Sequence, residues 1–356
     1  MKKISHILVT VLSLASVALF VFLIKKYPAE EILGLLSKVG LIHILILLGL
    51  TIVYLSLYTI RWKRILKLEG YDISFKDLLS YRLAGYSFSY LTPLADYGGE
   101  PVVAYLMNKD NPKLSFSKSF ASVIASRIIS AIPESFFLII SISYVLFFLV
   151  LPAKINFIFY ILLGIVTLLL LFIYYIILKK RHPLSKIIYF LKLDKLSFIK
   201  KNMSSIKNFD DLLNNLFHDH PKELLINVSL SFLALTSIIS MFWLLARNLG
   251  IHLNFAEAIT ARSITSVIGS LVPVPANIGI GEGSESAWFS AIGFGAAQGF
   301  GFYLLIRAKD ILITTAGIIV LINKGFLKNI NKIKEILREN NFLKNLLPKE
   351  DRENNL

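Results

Sequence analysis

Six stretches of the chain are apolar over lengths suited to a membrane span, which takes about 20 residues as a helix. They cover roughly residues 7–24, 41–60, 120–151, 155–178, 223–246 and 298–322. Two further segments, 74–108 and 255–297, are also apolar, but Pro and Gly interrupt each of them. Such a break predicts two short helices joined by non-helical backbone, which a membrane tolerates only where protein or water surrounds it. The pattern predicts an all-α polytopic membrane protein with about six full spans and two re-entrant helical hairpins. If the hairpin arms cross, there are eight passes.

The two interrupted segments share a motif of Pro, five residues and Gly-Glu. It runs from Pro93 to Glu100 in the first segment and from Pro275 to Glu282 in the second. Arginines flank both motifs at matched distances, because the offset from Arg82 to Arg262 equals the offset from Arg127 to Arg307. An internal repeat that Pro and Gly break in corresponding places is the sequence pattern of a transporter whose substrate site lies between its repeats.

The basic residues predict the orientation of the spans. The loop 179–222 carries ten Lys and Arg against four acids, and the tail from residue 323 carries eight against five. Four more basic residues follow the second span: Arg61, Lys63, Arg64 and Lys67. The positive-inside rule then predicts a protein of the cytoplasmic membrane with both termini in the cytoplasm. In this topology the repeats, about 41–151 and 223–322, have opposite orientations. The predicted membrane domain is 1–325, with 179–222 as a basic cytoplasmic loop, followed by a cytoplasmic tail over 326–356.

Composition narrows the function classes. Hydrophobic residues make up 55% of the chain and charged residues 17%, against about 25% charged in soluble domains. The formal charge of +15 comes mostly from loops beside the spans, so it indicates membrane topology and not a nucleic-acid partner. The absence of cysteine excludes disulfides and thiolate metal sites. No nucleotide-binding motif is present, and we expect no cofactor and no metal.

Charged residues inside the spans are the candidate site. A charge at mid-bilayer costs about 2.5–3.5 kcal/mol, so it pairs or lines a polar path. Arg127 and Arg307 lie in the third and sixth spans, and a planar guanidinium suits phosphate. One alternative is that Arg127–Glu134 and Arg307–Asp310 are structural pairs. Another is that Arg82 and Arg262 extend to the membrane surface.

The hairpin motifs supply the remaining candidates. Glu100 and Glu282 follow glycines and open the second arms, where each either caps its helix or pairs with a repeat arginine and gates access or binds a proton. Glycine permits close backbone approach to a ligand. The predicted substrate-binding residues are Arg82, Arg127, Arg262, Arg307, Glu100, Glu282, Asp310, Gly98, Gly99, Gly279 and Gly281. The predicted gating or proton-coupling residues are Glu134, Glu285, Lys309, Pro93 and Pro275.

At these residues the chain resembles the membrane domain of lysylphosphatidylglycerol synthetases, the flippase half of the multiple-peptide-resistance factors, over roughly 5–325. The resemblance rests on Pro93 to Glu100, on Pro275 to Glu282, and on the Arg-x-x-Asp spacing of Arg307 and Asp310. Two positions depart from the family pattern. Ala276 and Asn277 replace a Gly pair, and Ser130 stands where an acid would follow Arg127. An acid for Arg127 is therefore missing or is supplied by Glu134 or Glu100.

The resemblance implies a lipid flippase or scramblase. Its partner would be an anionic or zwitterionic phospholipid or a polyprenyl-phosphate lipid, with a soluble synthetase as a possible second partner. The family's aminoacyl transfer resides in a separate soluble domain, for which the residues after the last span are too few, so we expect no such enzyme activity. Three alternatives stay open: a membrane partner of a synthetase, an integral lipid-modifying enzyme and a small-solute transporter.

Overall fold

The computed structural model describes residues 2–93, 98–149, 153–178, 185 and 203–326, and these residues form helices and short connections. The helices of the first part are α1 (Lys2–Lys26), α2 (Ala29–Leu36), α3 (Leu41–Leu68), α4 (Phe75–Leu91), α5 (Glu100–Asp110), α6 (Phe116–Phe148) and α7 (Ala153–Leu178). Those of the second part are α8 (Met203–Asn214), α9 (Pro221–Asn248), α10 (Phe255–Leu271), α11 (Ile280–Ala291) and α12 (Ala296–Asn323). The predicted fold class, an all-α polytopic membrane protein, is confirmed.

The spans differ in how clearly their composition marks them. By length and composition, α3, α6 and α9 can each cross a membrane, and α1 with α2 forms a fourth candidate that is bent by 91°. Pro28 stands at that bend, directly before α2. Helix α12 is long enough at 28 residues, but Arg307, Lys309 and Asp310 occupy its middle. Because of these charges, hydropathy does not mark α12 as a span. The argument that α12 crosses the membrane is its position in the fold.

Both predicted breaks are present between paired short helices. Helices α4 and α5 flank the first break, where residues 94–97 lie outside the described part of the chain. Helices α10 and α11 flank the second, whose tip is a 3-10 turn over Pro275–Asn277. Both first arms begin at a capping residue: the Ser74 hydroxyl accepts from the amide of Asp77 at 3.1 Å, and the Asn254 side chain accepts from the amide of Glu257 at 2.9 Å. Ser74 and Asn254 are separated by the same offset as the repeat arginines.

The two repeats exchange their packing partners. Helix α4 of the first repeat packs against α12 of the second, and α10 of the second packs against α6 of the first. The two leading helices, α3 and α9, pack against each other. Each second arm lies on the last helix of its own repeat, α5 on α6 and α11 on α12. This reciprocal pattern is what a two-fold relation between the repeats requires. Their orientation in a membrane stays a prediction.

Glycines allow the closest of these contacts. A Cβ atom on Gly317 of α12 would overlap the carbonyl oxygen of Leu83 and the hydroxyl of Ser87, both on α4. The Ser87 hydroxyl donates to the carbonyl oxygen of Thr314 at 2.8 Å, one turn before Gly317. Helix α4 is therefore joined to the opposite repeat through backbone contact, and this contact fixes the position of the residues that α4 carries.

The structure changes some of what the sequence predicted about the loops, and part of the loops lies outside the described residues. The cluster from Arg61 to Lys67 lies within helix α3 and not in a loop after it, because α3 continues to Leu68. The predicted basic loop 179–222 contains α8, which packs against α6. Most of 179–202 and the whole predicted tail after 326 lie outside the described residues.

Candidate functional site

A cavity of about 290 Å³ lies between the two hairpins and the long helices. Its lining comes from α3, α4, α6, α9, α10 and α12, from the start of α5 and from the tip of the second hairpin. The basic side chains in its described lining are Arg61, Arg82, Arg127, Arg262 and Lys309. The acidic ones are Glu100, Glu134 and Asp310. Three of the four arginines that the repeat predicts thus reach one cavity.

The repeat-related acids and arginines form matched ion pairs. In the first repeat, Arg127 pairs with Glu100 at 2.8 Å. In the second, Arg307 pairs with Glu282 at 2.5 Å. Glu100 therefore supplies the acid that the sequence left open for Arg127. The prediction of an Arg307–Asp310 pair is wrong, because the re-entrant hairpin brings Glu282 to Arg307 while Asp310 pairs with Lys309 at 2.7 Å.

Arg307 does not line the cavity, although the sequence predicted that it binds substrate. Its Nη1 donates to the Ala276 carbonyl oxygen at 2.9 Å and to the Tyr90 hydroxyl at 3.1 Å. Ala276 and Asn277 have φ values of 54° and 49°, a left-handed conformation that costs a non-glycine residue energy. Arg307 holds this strained tip in place. Glu282 pairs with Arg307 and also caps α11 by accepting from the Gly279 amide at 2.9 Å, while its role in gating or proton binding stays a prediction.

Two of the predicted arginines form no ion pair with any described residue. Arg82 donates to the Tyr58 carbonyl oxygen at 3.1 Å and lies over the Tyr58 and Trp62 rings at 5.5 and 5.6 Å. The charge of Arg262 acts on the carboxyl group of Glu285, but the two side chains are not in ion-pair contact. Both arginines line the cavity, so the alternative that they extend to the membrane surface is wrong.

Arg61 is the charged residue of the described cavity lining that the sequence analysis did not predict as part of the site. Its side chain is 1% exposed, and its Nη atoms donate to the hydroxyls of Ser126, Ser130 and Ser231 at 2.6 to 2.8 Å. A signal was available in the sequence. An aromatic residue recurs at every fourth position of α3, at Tyr54, Tyr58 and Trp62. This spacing continues the apolar face of the helix past Arg61, so it predicts that the helix extends into the basic cluster.

The chain matches the family model of the lysylphosphatidylglycerol synthase TM region over residues 7–317. The chain belongs to this family. A UPF0104 membrane protein of Pyrococcus horikoshii is 26% identical over 332 residues, covering 89% of this chain and 97% of its own length. A UPF0104 membrane protein of Methanocaldococcus jannaschii is 26% identical over 83% of this chain and 89% of its own. No solved structure matches the chain.

In this member of the lysylphosphatidylglycerol synthase TM family, the other predicted acids take different positions. Asp310 accepts a hydrogen bond from the Tyr86 hydroxyl at 2.8 Å, and Glu134 lies in the cavity wall. Glu285 is fully buried behind that wall. One of its oxygens accepts from the Thr265 hydroxyl at 2.8 Å, and Thr265 itself lines the cavity. The Thr265 hydroxyl therefore stands between the Glu285 carboxyl group and the cavity.

The predicted glycines and prolines mostly shape the hairpins. Gly99 lies in the cavity wall and donates its amide to the Ser89 hydroxyl at 2.8 Å, with Gly98 buried beside it. Gly281 packs directly against the Tyr303 ring, and Gly279, at φ 78°, packs against α1. Pro93 follows the end of α4, and Pro275 begins the 3-10 turn. Only Gly99 of these residues reaches the cavity, so their substrate-binding or gating roles stay predictions.

Proposed function

We propose that this protein moves a lipid with a phosphate-bearing headgroup between the leaflets of the cytoplasmic membrane, as a flippase or scramblase. Membership of the lysylphosphatidylglycerol synthase TM family and the arginine-lined cavity between the repeats support the proposal. In the proposed topology both termini are cytoplasmic and the two hairpins enter from opposite faces. The function is transport and not catalysis, and the lipid is the principal partner.

The observation that carries this proposal is the presence in the cavity of arginines that form no ion pair with any described residue. Taking an ion out of water costs several kcal/mol, and the cost is recovered only if an opposite charge with good geometry meets it. Arg82 and Arg262 reach the cavity from equivalent positions of the two repeats, and neither is in contact with a described carboxylate. A lipid phosphate supplies that charge, and guanidinium groups bind phosphate through two parallel hydrogen bonds.

The first test is leaflet exchange in proteoliposomes. Labelled phosphatidylglycerol in the inner leaflet is followed by its exposure to a membrane-impermeant quencher. We expect Arg82→Gln and Arg262→Gln each to slow exchange about tenfold or more, because a hydrogen bond to a charged group contributes about 1.5–3 kcal/mol. Arg247→Gln is the matched control, since Arg247 is exposed at the end of α9 and lies over Trp243 at 5.1 Å.

Two results contradict the proposal. One is exchange by the wild-type protein no faster than in protein-free vesicles, for phospholipids with several headgroups and with or without a proton gradient. The other is an equal loss of exchange in Arg247→Gln and in the cavity variants, which would mean that the cavity arginines have no special part in it.

A further inference from the structure

Two arginines of the cavity share one tyrosine ring. The Arg61 guanidinium lies 4.4 Å from the Tyr58 ring centre and the Arg82 guanidinium 5.5 Å from it. The hydroxyl partners of Arg61 are neutral, and the buried Nε atoms of both arginines lack a hydrogen-bond acceptor among the described residues. Arg82 also experiences the positive charges of Arg61 and Arg127. Glu134 acts on Arg61 from a distance, so the described residues balance the positive charge of this corner only in part.

The net charge of the cavity indicates how much negative charge a bound ligand would need to balance it. Five basic and three acidic side chains are found in the described lining, which gives a formal net charge of +2. A phosphate diester carries one negative charge. A phosphate monoester carries about −1.5 to −2 at neutral pH, because its second ionisation lies near pH 6. The excess charge of the cavity as a whole, to which Arg262 of the second repeat also contributes, thus matches a terminal phosphate better than a phosphate within a diester.

The geometry points to a lipid with a terminal phosphate monoester as the substrate, bound where Arg61 and Arg82 meet Tyr58. This inference rests on the proposed function and specifies its substrate class. Arg82 presents donors to the phosphate. Arg61, held by three serines, supplies a fixed second charge. The Tyr58 ring keeps the two guanidiniums in place by cation–π contact.

The test compares two lipids with identical acyl chains, dioleoyl phosphatidate and dioleoyl phosphatidylmethanol, in the leaflet-exchange assay at pH 7.5. We expect phosphatidate to exchange at least tenfold faster, and this preference to shrink at pH 5.5 as the second proton returns. Arg61→Gln should abolish the preference, whereas Arg61→Lys, which keeps the charge, should retain part of it. On the wild-type protein, inorganic phosphate and methyl phosphate, which is a monoester, should each raise the melting temperature more than the diester dimethyl phosphate at pH 7.5. This readout does not depend on a variant folding.

Equal or faster exchange of phosphatidylmethanol would overturn the substrate class and leave lipid transport standing. Uptake of inorganic phosphate without exchange of either lipid would overturn the lipid source and leave the phosphate site. Failure of every lipid and of inorganic phosphate would overturn both this inference and the proposed function.

A second, independent observation concerns the two ends of the repeats. Lys324, at the end of α12, pairs with Asp110 at 2.5 Å and lies 3.8 Å from Asp77, at the start of α4. At the equivalent contact between the repeats, the Tyr144 hydroxyl, near the end of α6, donates to Glu257, at the start of α10, at 2.9 Å. Asp77 and Glu257 occupy equivalent positions of the two repeats, and so do Tyr144 and Lys324. We name these contacts the lysine latch and the tyrosine latch.

We infer that the two latches are the gates at opposite ends of the transport path. Each joins the base of one hairpin to the last helix of the other repeat, so a repeat can rock against its neighbour only when its latch opens. The latches differ in chemistry. The lysine latch is an ion pair, which dissolved salt weakens by screening. The tyrosine latch consists of hydrogen bonds with neutral donors, because the Tyr144 hydroxyl donates to Glu257 and accepts from the Asn254 side-chain amide at 3.4 Å.

Cysteine accessibility tests the latches, because the chain has no native cysteine. Ser266→Cys places a thiol in the cavity wall, and impermeant thiol reagents are added to either face of oriented vesicles. We expect Lys324→Gln to increase labelling severalfold from the face where α12 ends, and Tyr144→Phe to increase it from the opposite face. High salt should reproduce the first effect and not the second. Lys38→Gln, an exposed lysine, is the control. Increased labelling from the same face in both variants, or unchanged labelling in both, would overturn the assignment.

Discussion

Replacing Arg307 by alanine is expected to destabilise the protein by about 3–5 kcal/mol, the usual cost of removing one partner from a buried ion pair. The Arg307 side chain is 12% exposed and that of Glu282 is fully buried. The substitution leaves the Glu282 carboxylate without its counterion. It also releases the carbonyl oxygens of Ala276 and Asn277, whose left-handed conformations then lose their support. Unfolding of the detergent-solubilised protein in a denaturant series, followed by tryptophan fluorescence, measures the loss.

Arg64→Ala is the matched control for this prediction. Arg64 forms a bidentate pair with Glu223, with Nη2–Oε1 at 2.7 Å and Nε–Oε2 at 3.0 Å. Both side chains are partly exposed, at 37% and 28%, so the expected cost is at most about 1 kcal/mol. Arg307→Lys should fall between the two, because it keeps the charge and loses the hydrogen bonds to the hairpin tip. Equal costs for Arg307→Ala and Arg64→Ala would show that the hairpin tip does not depend on Arg307.

Gly317→Ala should destabilise the protein by about 1–3 kcal/mol, the typical cost of inserting a methyl group into a packed interface. The added Cβ would overlap the Leu83 carbonyl oxygen and the Ser87 hydroxyl, so α4 and α12 must move apart. Arg82 is on α4, and its displacement should slow leaflet exchange at least tenfold even in the fraction that folds. Denaturant unfolding and the exchange assay measure the two effects separately.

Gly164→Ala serves as the comparison, because a Cβ on Gly164 of α7 meets nothing within 4 Å. There the substitution should leave stability unchanged or improve it by up to about 1 kcal/mol, since alanine favours helix. A loss of stability in Gly164→Ala as large as that in Gly317→Ala would refute the role of close helix contact at Gly317.

The spacing of the repeat predicted that charged residues of the two halves come together, because equivalent positions in two related halves meet near a common axis. Arg82, Arg127 and Arg262 reach one cavity, and both motif glutamates pair with a repeat arginine. Hydropathy and the Pro and Gly breaks predicted the helices and their interruptions. These features depend on local composition and on sequence offsets, both of which a single chain displays.

What the sequence could not predict depends on contacts between distant residues. Arg307 and Asp310 are one helical turn apart, so local spacing favoured their pairing, yet the hairpin delivers Glu282 from 25 positions away. Arg61 belongs to a basic cluster, and a count of charges along the sequence assigns such a cluster to a loop. Its partners are neutral serines on α6 and α9, 65 to 170 positions distant. No sequence pattern marks a serine as the acceptor of a buried guanidinium.

The exchange of packing partners between the repeats also sets an order of assembly. Helix α10 emerges when its partner α6 already exists, so the second hairpin can dock as soon as it is made. Helix α4 is synthesised long before its partner, because α4 ends at Leu91 and α12 does not begin until Ala296. At synthesis rates of roughly 5–20 residues per second, that interval lasts about 10–40 s. During this time Arg82 and the first hairpin have no final position, and the newly made first half depends on its surroundings to hold it until its permanent neighbour arrives.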